Sequence, residues 1–145
     1  MTQPQPQPKT LREISSASRY PVDAFHFIRR GLDYTVQRIH TDPEKLPEQQ
    51  RHVSGTQLSE GLRDFAVDQY GLMARTVLRR WNINRTEDFG RIVFAMVDGG
   101  LMQATEHDSI RDFDAVFDFE QAFVTNVCLD KVPLEGFKPL PVAQG

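Results

Sequence analysis

The densest run of chemically capable side chains lies in the C-terminal third: Glu106, His107, Asp108, Asp112, Asp114, Asp118 and Glu120. Carboxylate oxygens suit hard cations such as Mg²⁺ or Ca²⁺. The spacing fits no EF-hand loop, which alternates its ligands around a central glycine and ends on glutamate. Asp112, Asp114, Asp118 and Glu120 share one parity, which on a strand spreads them along a face instead of converging them on an ion. A solvated acidic face that discourages edge pairing is the simpler account. His107 beside Asp108 could be a base with its orienter. No serine or cysteine nucleophile is set against it, Ser109 being only a chain neighbour. His26, His40 and His52 each have a plain helical or turn role. Cys128 lies in the apolar stretch AFVTNVCLD, where a thiol behaves as a small hydrophobe. No catalytic residue, metal ligand or cofactor is assigned on these grounds.

The second charged group is basic: Arg75, Arg79 and Arg80, with Arg85 and Arg91 beyond. From Gln69 to Val97 five arginines face only Glu87 and Asp88, a net +3. From Asp98 to Glu120 seven acids face Arg111 alone, a net −6. Such opposed surfaces steer association with a complementary partner. Phosphate-cradling, dinucleotide-binding, nucleophile-elbow and zinc-helix motifs are all absent.

The elements that must carry these residues follow from periodicity. Pro21 is placed to open a helix in which Phe25, Ile28, Leu32, Val36 and Ile39 form one apolar face. Ser54 and Gln57 spell a capping box for a second helix through Leu58, Leu62, Phe65 and Ala66, ended at Gly71. A third runs from Leu72 to Trp81, with Met73, Ala74, Val77, Leu78 and Trp81 as its apolar arc and the arginines opposite. Thr86 reads as the next N-cap, ahead of the stripe Phe89, Ile92, Val93, Met96 and Val97, which Gly99 and Gly100 close.

The period then changes to two. Phe113, Ala115, Phe117 and Phe119 alternate with Asp112, Asp114, Val116, Asp118 and Glu120, which predicts a strand paired with Leu101–Thr105. Alternatively, Asp118 and Gln121 cap a short final helix through Phe123. The expected fold is therefore mainly α with a C-terminal β-hairpin (α+β), a winged-helix-like helical core with the hairpin as its wing. Residues 1–19 are expected to be a disordered Gln/Pro-rich tail, 20–130 a single domain, and 131–145 an irregular C-terminal tail.

The 145 residues suffice for one core. Seventeen basic against twenty acidic residues leave −3, which argues against a strongly cationic nucleic-acid binder. One cysteine forms no internal disulfide, and no apolar run approaches the ~20 residues a membrane helix needs. A cytoplasmic location is the expectation.

The blocks RHVSGTQLSEGLRDFAVDQYG (Arg51–Gly71), TEDFGRIVFAMVDGGLM (Thr86–Met102) and DSIRDFDAVFDF (Asp108–Phe119) resemble an uncharacterised family of small proteins from Planctomycetes and Verrucomicrobia. The resemblance implies a bacterial, free-standing, single-domain protein. It carries no activity, cofactor, partner or site residue with it.

The function expected from the residues is a non-enzymatic protein-interaction module. It would use the basic patch Arg75, Arg79, Arg80, Arg85 and Arg91 and the acidic hairpin Asp108, Asp112, Asp114, Asp118 and Glu120, toward a protein partner or a second copy. A nucleic-acid binder using the arginine-rich helix is the alternative. The charges oppose it, because Glu87 and Asp88 would open the recognition helix toward phosphates. A small metal-dependent enzyme on the acidic hairpin is the third.

Overall fold

The computed structural model describes residues 9–40, 52–105 and 108–123, and 70% of them are helical. The helices are α1 (Leu11–Ser16), α2 (Val22–Ile39), α3 (Gly55–Tyr70), α4 (Ala74–Arg80), α5 (Thr86–Asp98) and α6 (Phe119–Ala122). Two 3₁₀ turns, Gly71–Met73 and Ile110–Phe113, join them.

The capping signals place the helix starts well. The Ser54 hydroxyl accepts from the Gln57 amide at 3.1 Å, and the Gln57 side chain accepts from the Ser54 amide at 2.9 Å. These contacts occupy donors that a helix start leaves unpaired. Thr86 is instead the first residue of α5, with Arg85 at the cap position. Residues 11–16, expected in the disordered tail, form α1. A Thr10–Glu13 capping box starts it and buried Ile14 anchors it against Gly99.

Helices α2 and α3 pack most extensively, and glycines let them approach. A Cβ at Gly31 would collide with Leu62, and one at Gly61 with Thr35. The Thr35 hydroxyl turns back to donate to the Gly31 carbonyl at 2.7 Å. Helix α5 lies at the centre. Phe89, Ile92 and Met96 are fully buried, and only Arg91 and Asp98 of its residues are exposed.

The β-hairpin and the winged-helix-like fold are not present: the described residues contain no strand. The reason lies in who satisfies the backbone. A strand's amides and carbonyls need a neighbouring strand, but here α5 supplies the partners. The Thr86 hydroxyl donates to the Phe113 carbonyl at 2.6 Å and accepts from the Val116 amide at 3.1 Å. Glu87 accepts from the Ala115 amide at 3.1 Å. Phe113 drops into a seat left open by Gly90 and Gly55. Ala115 then turns at φ +46° and is exposed, which breaks the alternation. Leu101, assigned to the other strand, has its amide on the Met96 carbonyl at 2.9 Å. The short final helix does form, with Asp118 accepting from the amides of Glu120 and Gln121.

Candidate docking surface

The two charged groups read from the sequence do not survive as two free surfaces. Arg75 is 12% exposed and its Nε reaches Glu120 at 3.1 Å, so a member of the basic patch neutralises a member of the acidic one. Its Nη2 donates to Asn84 at 3.3 Å, its guanidinium lies 5.5 Å over the Phe119 ring, and its Nη1 is buried without a partner. Arg63 sits likewise over Phe117, which stacks on Phe119 with centroids 5.6 Å apart. Two arginines thus sandwich two phenylalanines, and the C-terminal segment is clasped to α3 and α4.

The other acids are occupied too. Asp108 takes a contact from His52 Nε2 at 3.0 Å and the Thr105 amide at 2.7 Å. Asp112 accepts from the Ser109 amide, and Asp118 caps α6. Asp114 alone is exposed without a partner. Glu106, His107 and Cys128 lie outside the described residues, and no group of three or more His, Cys, Asp or Glu among the described residues could hold a metal.

Arg91 belongs to a buried knot. Asp88, 4% exposed, accepts from the Tyr20 hydroxyl at 2.5 Å, the Asn84 and Arg85 amides at 2.8 and 3.2 Å, and Arg91 Nη1 at 2.7 Å. Burial, reinforced by the hydrogen bond to Asp88, pushes the Tyr20 hydroxyl up to about 12. The knot ties the entry of α2 to the start of α5. The charge objection to nucleic acid therefore changes form. Asp88 is inside and Glu87 is tied to Ala115, so neither carboxylate stands free at the start of α5.

Arg79, Arg80 and Arg85 remain exposed without an ion pair. What lies beside the first two was not foreseen. Leu72 and Met73 are 43% and 56% exposed, although Met73 had been placed in the apolar arc. Leu72 is seven residues before Arg79 and Met73 seven before Arg80, a spacing that would put them on the arginines' side of a continuous helix, and all four are exposed. That spacing was the available signal. Exposed Thr76 lies between, making one stripe that is apolar at one end and cationic at the other. On neighbouring α3, Val67 is 47% exposed, and Glu60, Asp64 and Asp68 recur every fourth residue. Partial burial alone would raise the Asp64 carboxyl. Hydrogen bonds from Arg38 at 2.8 Å and Arg63 at 3.0 Å outweigh it and hold it below the usual range.

A groove of about 840 Å³ lies between α2, the start of α3 and the end of α5, with Val36, Phe94, Val97 and Met102 in its wall. His52 and Asp108 stand on its rim, and the His40 ring donates to the His52 carbonyl at 2.9 Å.

No helix among the described residues is long and apolar enough to cross a membrane. No family model, curated protein or solved structure matches the chain.

Proposed function

We propose that the chain is a non-enzymatic protein-interaction module whose contact surface is the stripe Leu72, Met73, Arg79 and Arg80. The observation that supports this is the continuity along residues 72–80 of two solvent-exposed large apolar side chains, on the turn that enters α4, with two unpaired arginines on α4. Large exposed apolar side chains grouped together mark contact surfaces in soluble proteins. Methionine adapts to the shape of a partner, and arginine is enriched where proteins meet. The complementary partner presents apolar side chains flanked by carboxylates.

Nucleic acid fits less well. Leu72 and Met73 have no role against a phosphate backbone. Of the acids a metal enzyme would draw on, Asp108, Asp112, Asp118 and Glu120 are committed to turns, caps and ion pairs.

A photo-crosslinking residue at position 73, used in native lysate, tests the reading. Protein adducts are expected at position 73 and not at exposed position 29. They should fall away in the R79E/R80E double variant and in high salt. Adducts indifferent to both changes, or adducts to nucleic acid, would overturn it.

A further inference from the structure

The same surface is charge-complementary to itself, and we infer that its partner is a second copy of this chain. The inference rests on the docking stripe proposed above and extends it onto α3. Val67, Leu72 and Met73 form an apolar centre around the turn at Gly71. On the α4 side, Arg79 and Arg80 lie seven residues from Leu72 and Met73. On the α3 side, Glu60 lies seven residues from Val67, and Asp68 flanks it. At about 1.5 Å per residue Glu60 stands roughly 10 Å along α3 from Val67, while Asp68 adjoins Val67 at the centre itself.

The arms also balance in charge. Asp64 is excluded because Arg38 and Arg63 already neutralise it. Glu60 and Asp68 are exposed and carry no ion pair, Asp68 meeting only the Gln69 amide at 3.2 Å. Two free carboxylates on α3 and two free guanidinium groups on α4 therefore accompany one apolar centre. A two-fold axis through that centre exchanges the arms. Each copy's arginines then meet the other's carboxylates while the apolar centres cover each other. This is the self-complementarity that an isologous dimer requires. Three apolar side chains per copy make a small core, so the dimer is of the weak, reversible class, with charge crossings setting its orientation.

Charge exchange in the full chain tests the pairing by sedimentation at loadings from about 10 µM to 1 mM. The wild type should shift from monomer toward dimer with concentration, and the shift should weaken as salt screens the crossings. R79E/R80E makes both arms acidic and should weaken self-association about tenfold or more. E60R/D68R makes both arms basic and should do the same. An equimolar mixture of the two variants, with every crossing now favourable, should restore the dimer as a heterodimer. All four positions are exposed, and unchanged helical circular dichroism checks that each variant is folded. A wild type that stays monomeric throughout, variants that still self-associate, or a mixture that fails to pair would each overturn self-association. If the wild type stays monomeric while position 73 still crosslinks to another protein in an Arg79- and Arg80-dependent way, the docking surface stands and only its self-pairing falls.

Discussion

Removing one oxygen should reveal how the Asp88 knot holds the start of α5. Tyr20→Phe keeps the ring, which is buried, and deletes the hydroxyl that donates to Asp88. A hydrogen bond to a charged acceptor contributes about 1.5–3 kcal/mol. Asp88 keeps three other donors, so the low end applies: about 1.5 kcal/mol lost near neutral pH. The alkaline limb is more diagnostic. The folded hydroxyl is raised to about 12 from an ordinary 10, so between those values the folded state holds a proton that the unfolded state has released. Stability is therefore fully present below pH 10 and falls as pH rises toward 12. The fall is about 1.4 kcal/mol per unit and roughly 2 kcal/mol by pH 11.5. Phenylalanine has no proton to lose. Urea unfolding of both proteins from pH 7 to 11.5, with free energies from linear extrapolation, gives a difference curve. It should be flat to about pH 9.5 and then close, reaching zero or changing sign. Parallel curves throughout would refute the assignment of Tyr20 as a proton held by burial and Asp88.

Other substitutions probe separate links. Gly61→Ala should destabilise by about 1–3 kcal/mol despite the ~0.5–1 kcal/mol that alanine gains inside a helix, because its methyl meets Thr35; a higher melting temperature would contradict the close approach of α2 and α3. Phe119→Ala should cost about 3 kcal/mol, since the ring packs on Phe89, Phe117 and Phe123 and under Arg75; a loss below ~1 kcal/mol in denaturant titration would mean the clasp contributes little to the fold. Met73→Asp should leave the unfolding midpoint within about 0.5 kcal/mol of wild type while abolishing docking, and a large loss of stability would show that Met73 is packed.

The helical core was legible because helix starts and stops are written locally. Ser54 with Gln57 and the glycines after Tyr70 and Asp98 name their own ends. The segment from Leu101 onward was not. Its phenylalanines do turn inward, as Phe113 and Phe119 show, but the burial is achieved by a turn and a cap, not by a strand. Nothing local reveals that Thr86 and Glu87, some thirty residues away, will take the backbone partners a second strand would have offered. The charge count was correct in sum and misleading in space. Arg75 and Glu120 are forty-five residues apart in sequence, and only the folded chain shows that they cancel. Leu72 and Met73 were readable in principle. Their seven-residue offset from the arginines carried the information, and hydrophobic character alone concealed it.

The clasp of Arg63, Phe117, Phe119 and Arg75 has a consequence for how the molecule opens. Helix α6 has four residues, far below the length at which a helix holds itself together in water. Residues 110–123 are therefore ordered by what they lie on, and they lie on helices distant in sequence. Contacts of that kind reward the chain only after distant segments have met, so they depend on the helical core being in place. Release would uncover the aromatic faces of Phe89 and Phe119 together with the buried guanidinium of Arg75. The seam beneath residues 110–123 thus runs along aromatic interior surface. A chain cut short before Phe117 would begin its life with that surface bare.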